Sequence, residues 1–203
     1  FQTLIIAADT AFKKTESADY SVAVTAGVDT NGDIYIIDIM RGKYDFPELK
    51  QRLIQLNNRY RGKGLRAVYI EDKASGQSLI QELKRQSGIS VIPYKVTHDK
   101  VARVNSVLPI IEGGRVFLPQ SSPWLDDFID ETVSFPAATH DDQVDAMTMA
   151  IDILSRTSVS TDDWLMHPDA SQSLNNTYND KDNPLGKSLS SVTKKSSWKG
   201  WGI

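Results

Sequence analysis

The sequence predicts an α/β fold in which a mixed central sheet carries helices on both faces. Three apolar segments come first, at residues 4–8, 20–26 and 33–40, and the turn-forming residues 29–33 join the second to the third. Beyond residue 45 the spacing of apolar residues becomes helical, and helical and extended segments then alternate. A meander extended by βαβ units gives a sheet whose first three strands are antiparallel.

The first strand is a continuous apolar run, which is typical of a strand buried on both faces, and it leads into Asp9. The next two apolar segments pair as a hairpin. The helix that follows begins at the capping pair Asp45 and Glu48 and ends at Gly62 and Gly64. Its apolar side chains recur at helical spacing, at Phe46, Leu49, Leu53 and Tyr60.

The second half of the chain alternates between short extended runs and helical segments. We predict strands over residues 65–70, 90–94 and 116–118. The helices have apolar residues at three- and four-residue spacing, and we predict them over residues 75–86, 101–111, 125–133 and 141–155. We expect the third helix to bend at Pro109.

Composition limits the possible functions. The 203 residues are 40% hydrophobic, carry a net charge of −3 and include no cysteine. A core can therefore form, but a disulfide framework, cysteine-ligated zinc and a thiol nucleophile are excluded. No apolar run approaches the roughly 20 residues that span a bilayer, so we expect no membrane partner. The mild acidity argues against a simple basic coat for nucleic acid, but not against a protein that meets DNA through bound metal.

We assign residues 1–156 to one domain. After Arg156 the sequence turns to Ser, Asn, Asp, Thr and Lys without periodicity, so we predict a flexible polar tail over residues 157–203. The tryptophans in this tail either dock on a partner or the domain, or have no binding role. Because the chain starts at Phe1 and not at Met, we expect it to be a fragment or a processed piece.

Carboxylates fall where the predicted topology gathers ligand sites, at the carboxyl ends of strands. Asp9 ends the first strand, Glu71 ends the fourth, and Asp142 and Asp145 share one face at the start of the last helix. Gathered carboxylates repel one another unless a cation lies between them, and Mg²⁺ or Mn²⁺ prefers oxygen ligands. Two such ions would activate a water and stabilise the leaving oxygen of a phosphodiester.

Each acid also has a structural interpretation. Asp9 and Glu71 could be ordinary turn or loop charges, and Asp142 could complete a capping box at the helix start. Asp145 lies between Val and Ala near the buried face of the helix, where a solvated charge fits poorly. Only the combination of positions favours a chemical role.

Four segments together resemble the nuclease domain of large terminase subunits, the DNA-packaging motors of tailed bacteriophages. They are residues 5–11 with 19–22, residues 68–72, residues 97–103, and His140-Asp141-Asp142-Gln143-Val144-Asp145-Ala146. The last is the most specific, and the resemblance covers roughly residues 1–155. It implies a ribonuclease H-like fold and metal-dependent endonuclease activity on double-stranded DNA, which cuts concatemeric phage DNA when packaging starts and ends.

The resemblance also implies roles for the acids. By position, Asp9 and Glu71 match the first two catalytic acids, the third maps to Asp142, and Asp145 is a close fourth. These four are the expected ligands of two Mg²⁺ or Mn²⁺ ions. The division of roles between Asp142 and Asp145 stays open, and Asp141 is the weaker match.

No G-x-x-x-x-G-K-[ST] loop is present in the sequence. The resemblance therefore implies the nuclease part alone, with an ATPase domain elsewhere in the full-length protein. The portal and the small terminase subunit are its further expected partners. The expected location is the host cytoplasm and, transiently, the portal of the procapsid.

Five basic residues are candidate phosphate contacts: Lys13, Lys14, Lys73, Lys100 and Arg103. No zinc finger or basic zipper pattern indicates base readout, so we expect weak sequence preference and strong salt dependence. His140 could orient the scissile phosphate or a water, but the sequence favours a structural role at the entry of the last helix.

Three other functions fit parts of the sequence. The same fold occurs in junction resolvases, transposases and exonucleases. A non-catalytic packaging module would use the tail to dock on a partner and the acids for structure. An actin-like nucleotide-binding domain would need glycine-rich phosphate loops, which Gly27 and Gly32 fit poorly.

Overall fold

The computed structural model describes residues 1–11, 19–86 and 88–158. Within that part the elements, in chain order, are β1 (Thr3–Asp9), β2 (Ser21–Val28), β3 (Ile34–Gly42), α1 (Phe46–Arg61), β4 (Leu65–Glu71), α2 (Ala74–Gln86), β5 (Val91–Tyr94), α3 (Lys100–Glu112), β6 (Val116–Phe117), α4 (Leu125–Ser134) and α5 (Asp142–Ser158). Every predicted element is present, most with ends shifted by one or two residues. The predicted tail lies, from residue 159 onward, outside the described residues.

The sheet has the strand order β5-β4-β1-β2-β3-β6. The pairs β1–β2 and β2–β3 are antiparallel, whereas β1–β4, β4–β5 and β3–β6 are parallel. The predicted mixed sheet with an antiparallel first meander is therefore confirmed. Asp9 on β1 lies opposite Val22 on β2, which in turn lies opposite Arg41 on β3, so these three residues share one end of the sheet.

Local chemistry sets the ends of the elements as the sequence predicts. The Asp45 carboxylate accepts the Glu48 N–H at 2.9 Å and caps α1, and Gly62 ends that helix. In the hairpin turn, the Asp29 carboxylate accepts the N–H groups of Asn31 and Asp33 at 2.9 and 3.0 Å. α3 contains Pro109, at which the sequence predicts a bend, and the helix continues past this proline to Glu112.

Two apolar layers cover the sheet. One face packs on α3, α4 and α5, and the other face packs on α1 and α2. Alternate residues of β1 serve the two layers: Ile5 and Ala7 face α5, while Ile6 and Ala8 face α1 and α2. All of β1 is buried, which explains its unbroken apolar sequence. In the described residues no helix is both long and apolar enough to cross a membrane.

Candidate active site

The four predicted acids lie at one end of the sheet. Asp9 is the last residue of β1 and Glu71 is the last of β4, its parallel neighbour. Asp142 and Asp145 lie in the first turn of α5, which packs across β1 and β2. The charge of Asp9 raises the pKa of each of the other three carboxyls, so Asp9 interacts electrostatically with all three.

These acids are held out of water. Asp9, Asp142 and Asp145 are only 5%, 8% and 7% exposed. Burial is the main cause that raises the pKa of Glu71, Asp142 and Asp145, and it brings the pKa of Asp142 to about 6. A buried acid cluster is costly unless a cation compensates it, so the arrangement differs from that of solvated loop charges.

Lys73 compensates the first two acids. Its ammonium contacts Asp9 Oδ1 and lies 3.0 Å from Glu71 Oε2. Burial lowers the pKa of Lys73, but the two carboxylates outweigh burial and raise it. The lysine is presented by a tight turn from β4 into α2, in which its N–H donates to the Glu71 carbonyl at 3.0 Å. A Cβ on Gly76 would lie 2.0 Å from that same carbonyl oxygen, so the turn requires glycine there.

Two side chains of α3 compensate the acids of α5. Lys100 Nζ lies 2.8 Å from Asp145 Oδ2 and 2.6 Å from Asp141 Oδ2. Arg103, one helical turn further on, donates to Asp145 Oδ1 at 2.8 Å. Both cations lower the pKa of Asp145, although burial still leaves it raised.

Asp142 is held differently. Its Oδ2 accepts the backbone N–H of Tyr20 at 3.2 Å, a contact between residues 122 positions apart. This hydrogen bond lowers the pKa of Asp142, but burial and the charges of Asp9, Asp19 and Glu131 outweigh it. Within the described residues, no Lys or Arg forms an ion pair with Asp142. Its pKa is accordingly raised to about 6.

A buried network that sequence reasoning missed supports the start of α5. The Glu131 carboxylate on α4 accepts the Gln143 backbone N–H and the Gln143 side-chain amide, each at 2.7 Å. Arg41 lies 3.4 Å from the same carboxylate. The available signal was the position of Glu131 on the apolar face of its helix, three residues after the buried Phe128. Glu131 thereby holds the turn that carries Asp142.

An aromatic and basic cluster flanks the acids on the β3 side. The Tyr20 ring lies 3.8 Å from the Arg41 guanidinium carbon and 4.8 Å from Lys43 Nζ. His140 meets the same ring edge-on, with the ring centroids 5.0 Å apart. His140 thus packs at the entry of α5, which is the structural alternative predicted for it.

The predicted phosphate contacts have different outcomes. Lys13 and Lys14 lie outside the described residues. Lys73, Lys100 and Arg103 are beside the acids as expected, but each one pairs with carboxylates. Their role in binding DNA stays a prediction.

The acids suit a hard divalent ion in kind, because every donor is a carboxylate oxygen. In the described part of the chain, however, no three acidic or histidine side chains are gathered tightly enough to hold an ion. Basic side chains lie between the carboxylates instead. Lys73 and Lys100 would have to withdraw before these oxygens could close around metal.

The chain belongs to the family described as the terminase RNaseH-like domain, which matches residues 6–153. It is therefore a nuclease domain of the ribonuclease H-like fold. No curated protein matches it significantly.

The solved structures to which this chain is similar include two resolvases. The fowlpox virus resolvase in complex with Holliday junction DNA is 14% identical, with a TM-score of 0.46 over 76% of this chain and 98% of that one. RuvC of T. thermophilus in complex with a Holliday junction substrate is 11% identical, with a TM-score of 0.46 over 76% of this chain and 94% of that one.

The raised pKa of Asp142 predicts how stability depends on pH without divalent ions. The folded state keeps a proton on this carboxyl up to about pH 6, whereas the unfolded chain loses it near its ordinary value. The folded state therefore binds more protons between these values, so this group makes folding less favourable as pH rises. We expect Asp142→Asn to be more stable than wild type at pH 7.5 in EDTA, as measured by urea unfolding.

The advantage of Asp142→Asn should shrink as the pH falls below about 6. Asp72→Asn, at the same end of the sheet, serves as the control and should follow wild type at each pH. A variant that is less stable than wild type at both pH 7.5 and pH 5 would show the opposite sign, with the charged carboxylate stabilised by the fold.

Proposed function

We propose that this domain is a divalent-metal-dependent endonuclease that cleaves double-stranded DNA during phage genome packaging, as the nuclease part of a large terminase subunit. The observation that carries the proposal is the buried acid cluster centred on Asp9, in a chain that belongs to the terminase RNaseH-like family. A cluster of this kind has no evident use in stabilising the fold, because burial and the charge of Asp9 raise the pKa of the other three carboxyls.

Asp9, Glu71, Asp142 and Asp145 are the proposed ligands. Bound ions would supply a nucleophilic water and neutralise charge on the departing 3′ oxygen. The protein's own contribution is to position the carboxylate oxygens that would bind the ions. The Tyr20 N–H orients the Asp142 carboxylate, and Glu131 holds the first turn of α5, which carries Asp142 and Asp145.

We extend the proposal to the setting of the reaction. The domain would act in the host cytoplasm and at the procapsid portal, joined to an ATPase domain and assisted by the small terminase subunit. The basic residues predicted as phosphate contacts would bind the DNA backbone, which gives weak sequence preference and a strong dependence on salt.

Cleavage of supercoiled plasmid tests the proposal. We expect nicked and linear products with Mn²⁺ or Mg²⁺ and none in EDTA, because the four acids cannot generate the nucleophile alone. Parallel reactions contain linear duplex and a four-way junction. Cutting that persists in EDTA would contradict the metal mechanism, and cutting confined to the junction would assign the domain to resolution instead.

The alternative function, a non-catalytic docking module, predicts a different result. It would cut no substrate under any metal condition, and its partner binding would disappear when residues 157–203 are removed. The same truncation leaves every proposed ligand in place, so an endonuclease should keep its metal-dependent cleavage.

A further inference from the structure

Two lysines of the site stand where cations are needed. Lys73 lies between the carboxylates of Asp9 and Glu71, and Lys100 lies between those of Asp141 and Asp145. Each ammonium thus bridges two acids, which is also what a divalent ion does in an oxygen-ligand site. The two lysines come from different elements, the turn after β4 and the start of α3.

We propose that Lys73 and Lys100 are resident counter-ions that give up the carboxylates to divalent ions and then bind DNA phosphates, which makes metal binding and DNA binding cooperative. This inference rests on the proposed nuclease function. It assigns the two lysines a positioning and regulatory role in addition to phosphate contact.

Charge balance supports the exchange. In the structure, each lysine partly neutralises a pair of acids that are otherwise mutually repulsive. If an ion takes the place of an ammonium, it brings one more positive charge. Lys73 then loses both Asp9 and Glu71, and Lys100 loses Asp145. A cation cannot stay beside a metal ion without a compensating anion, and the phosphates of bound DNA provide one.

Side-chain mobility supports it as well. The Lys73 and Lys100 side chains are 41% and 33% exposed, so each ammonium can reach solvent by rotating about its own stem. Arg103 is only 14% exposed, and its guanidinium donates to Asp145 Oδ1 at 2.8 Å. We therefore expect Arg103 to stay with Asp145 while the lysines move.

Thermodynamic linkage makes the exchange measurable. If metal releases the lysines for DNA, metal must tighten DNA binding, and DNA must tighten metal binding by the same factor. Coupling of this kind amounts typically to about 5–150-fold in affinity.

The test measures Ca²⁺ binding by titration calorimetry, with and without a short blunt duplex. Wild type should bind Ca²⁺ about tenfold more tightly once the duplex is present. Lys73→Met should bind Ca²⁺ about tenfold more tightly than wild type does without DNA. The duplex should then increase the Ca²⁺ affinity of this variant by less than it does for wild type. Lys84→Met, which changes an exposed lysine of α2, is the control and should behave like wild type.

If Lys73→Met binds Ca²⁺ as tightly as wild type does, or more weakly, the inference is overturned while the nuclease proposal stays intact. If wild type itself binds neither Ca²⁺ nor Mn²⁺, the nuclease proposal fails and the inference fails with it. Thermal melts in EDTA verify that each variant is folded. Should Lys73→Met not fold, Lys100→Met is subject to the same expectation and the same contradiction.

Discussion

We expect Asp9→Asn to lower the rate of plasmid cleavage by about 10³-fold or more, since removing a proposed metal ligand forfeits several kcal/mol of transition-state stabilisation. Asp9 is the choice because its charge acts on each of the other three acids. The amide keeps the size of the side chain but is a poor metal ligand. Gel analysis of initial rates in Mn²⁺ and in Mg²⁺ measures the effect.

Stability should change little in this variant. The amide loses the ion pair with Lys73, but it also removes the repulsion between Asp9 and the other acids, so the two effects oppose each other. We expect a melting temperature in EDTA close to that of wild type. Asp72 follows Glu71 in the chain but lies outside the cluster, so Asp72→Asn should cut at the wild-type rate. Full activity of Asp9→Asn would remove Asp9 from the proposed ligands.

Glu131→Ala lowers the free energy of unfolding by about 3 kcal/mol, because two buried donors of Gln143 lose their acceptor at about 1–3 kcal/mol each. The loss of the partly exposed Arg41 ion pair adds less, since solvent screens it. Urea unfolding monitored by circular dichroism measures the change. Cleavage should fall too, because the first turn of α5 is no longer held.

Two variants bracket this expectation. Glu131→Gln retains an oxygen for the Gln143 N–H and should fall between wild type and Glu131→Ala. Asp130→Ala changes an exposed acid on the same helix, so its stability should stay within about 0.5 kcal/mol of wild type. Equal stability of Glu131→Ala and wild type would mean that the buried hydrogen bonds contribute nothing net to folding.

Much of the architecture was predictable because its causes are local. The capping aspartate of α1 and the hairpin turn are read from neighbouring residues, and both form as predicted. The mixed sheet with an antiparallel first meander was predicted from connection rules, and the acids were expected to collect at the carboxyl ends of its strands. The strand order, with β4 beside β1, came from the structure.

The contacts within the site were less predictable. The hydrogen bond from Tyr20 to Asp142 joins the start of β2 to the start of α5, and no spacing rule reports it. The same holds for Glu131 and Gln143 on separate helices. Lys73 was predicted as a phosphate contact from its position next to the fourth strand, and Lys100 as part of a basic rim. The sequence did not indicate that they bridge carboxylates.

By itself, the sequence determined the alternation of elements, the mixed sheet and the end of the sheet at which the acids collect. Periodicity, turn chemistry and strand connection are properties of short segments, and each segment carries its own signal. Only the tertiary structure decided which cation neutralises which acid and which buried group holds α5. Those choices depend on side-chain reach and burial between distant segments, which exist once the chain has folded.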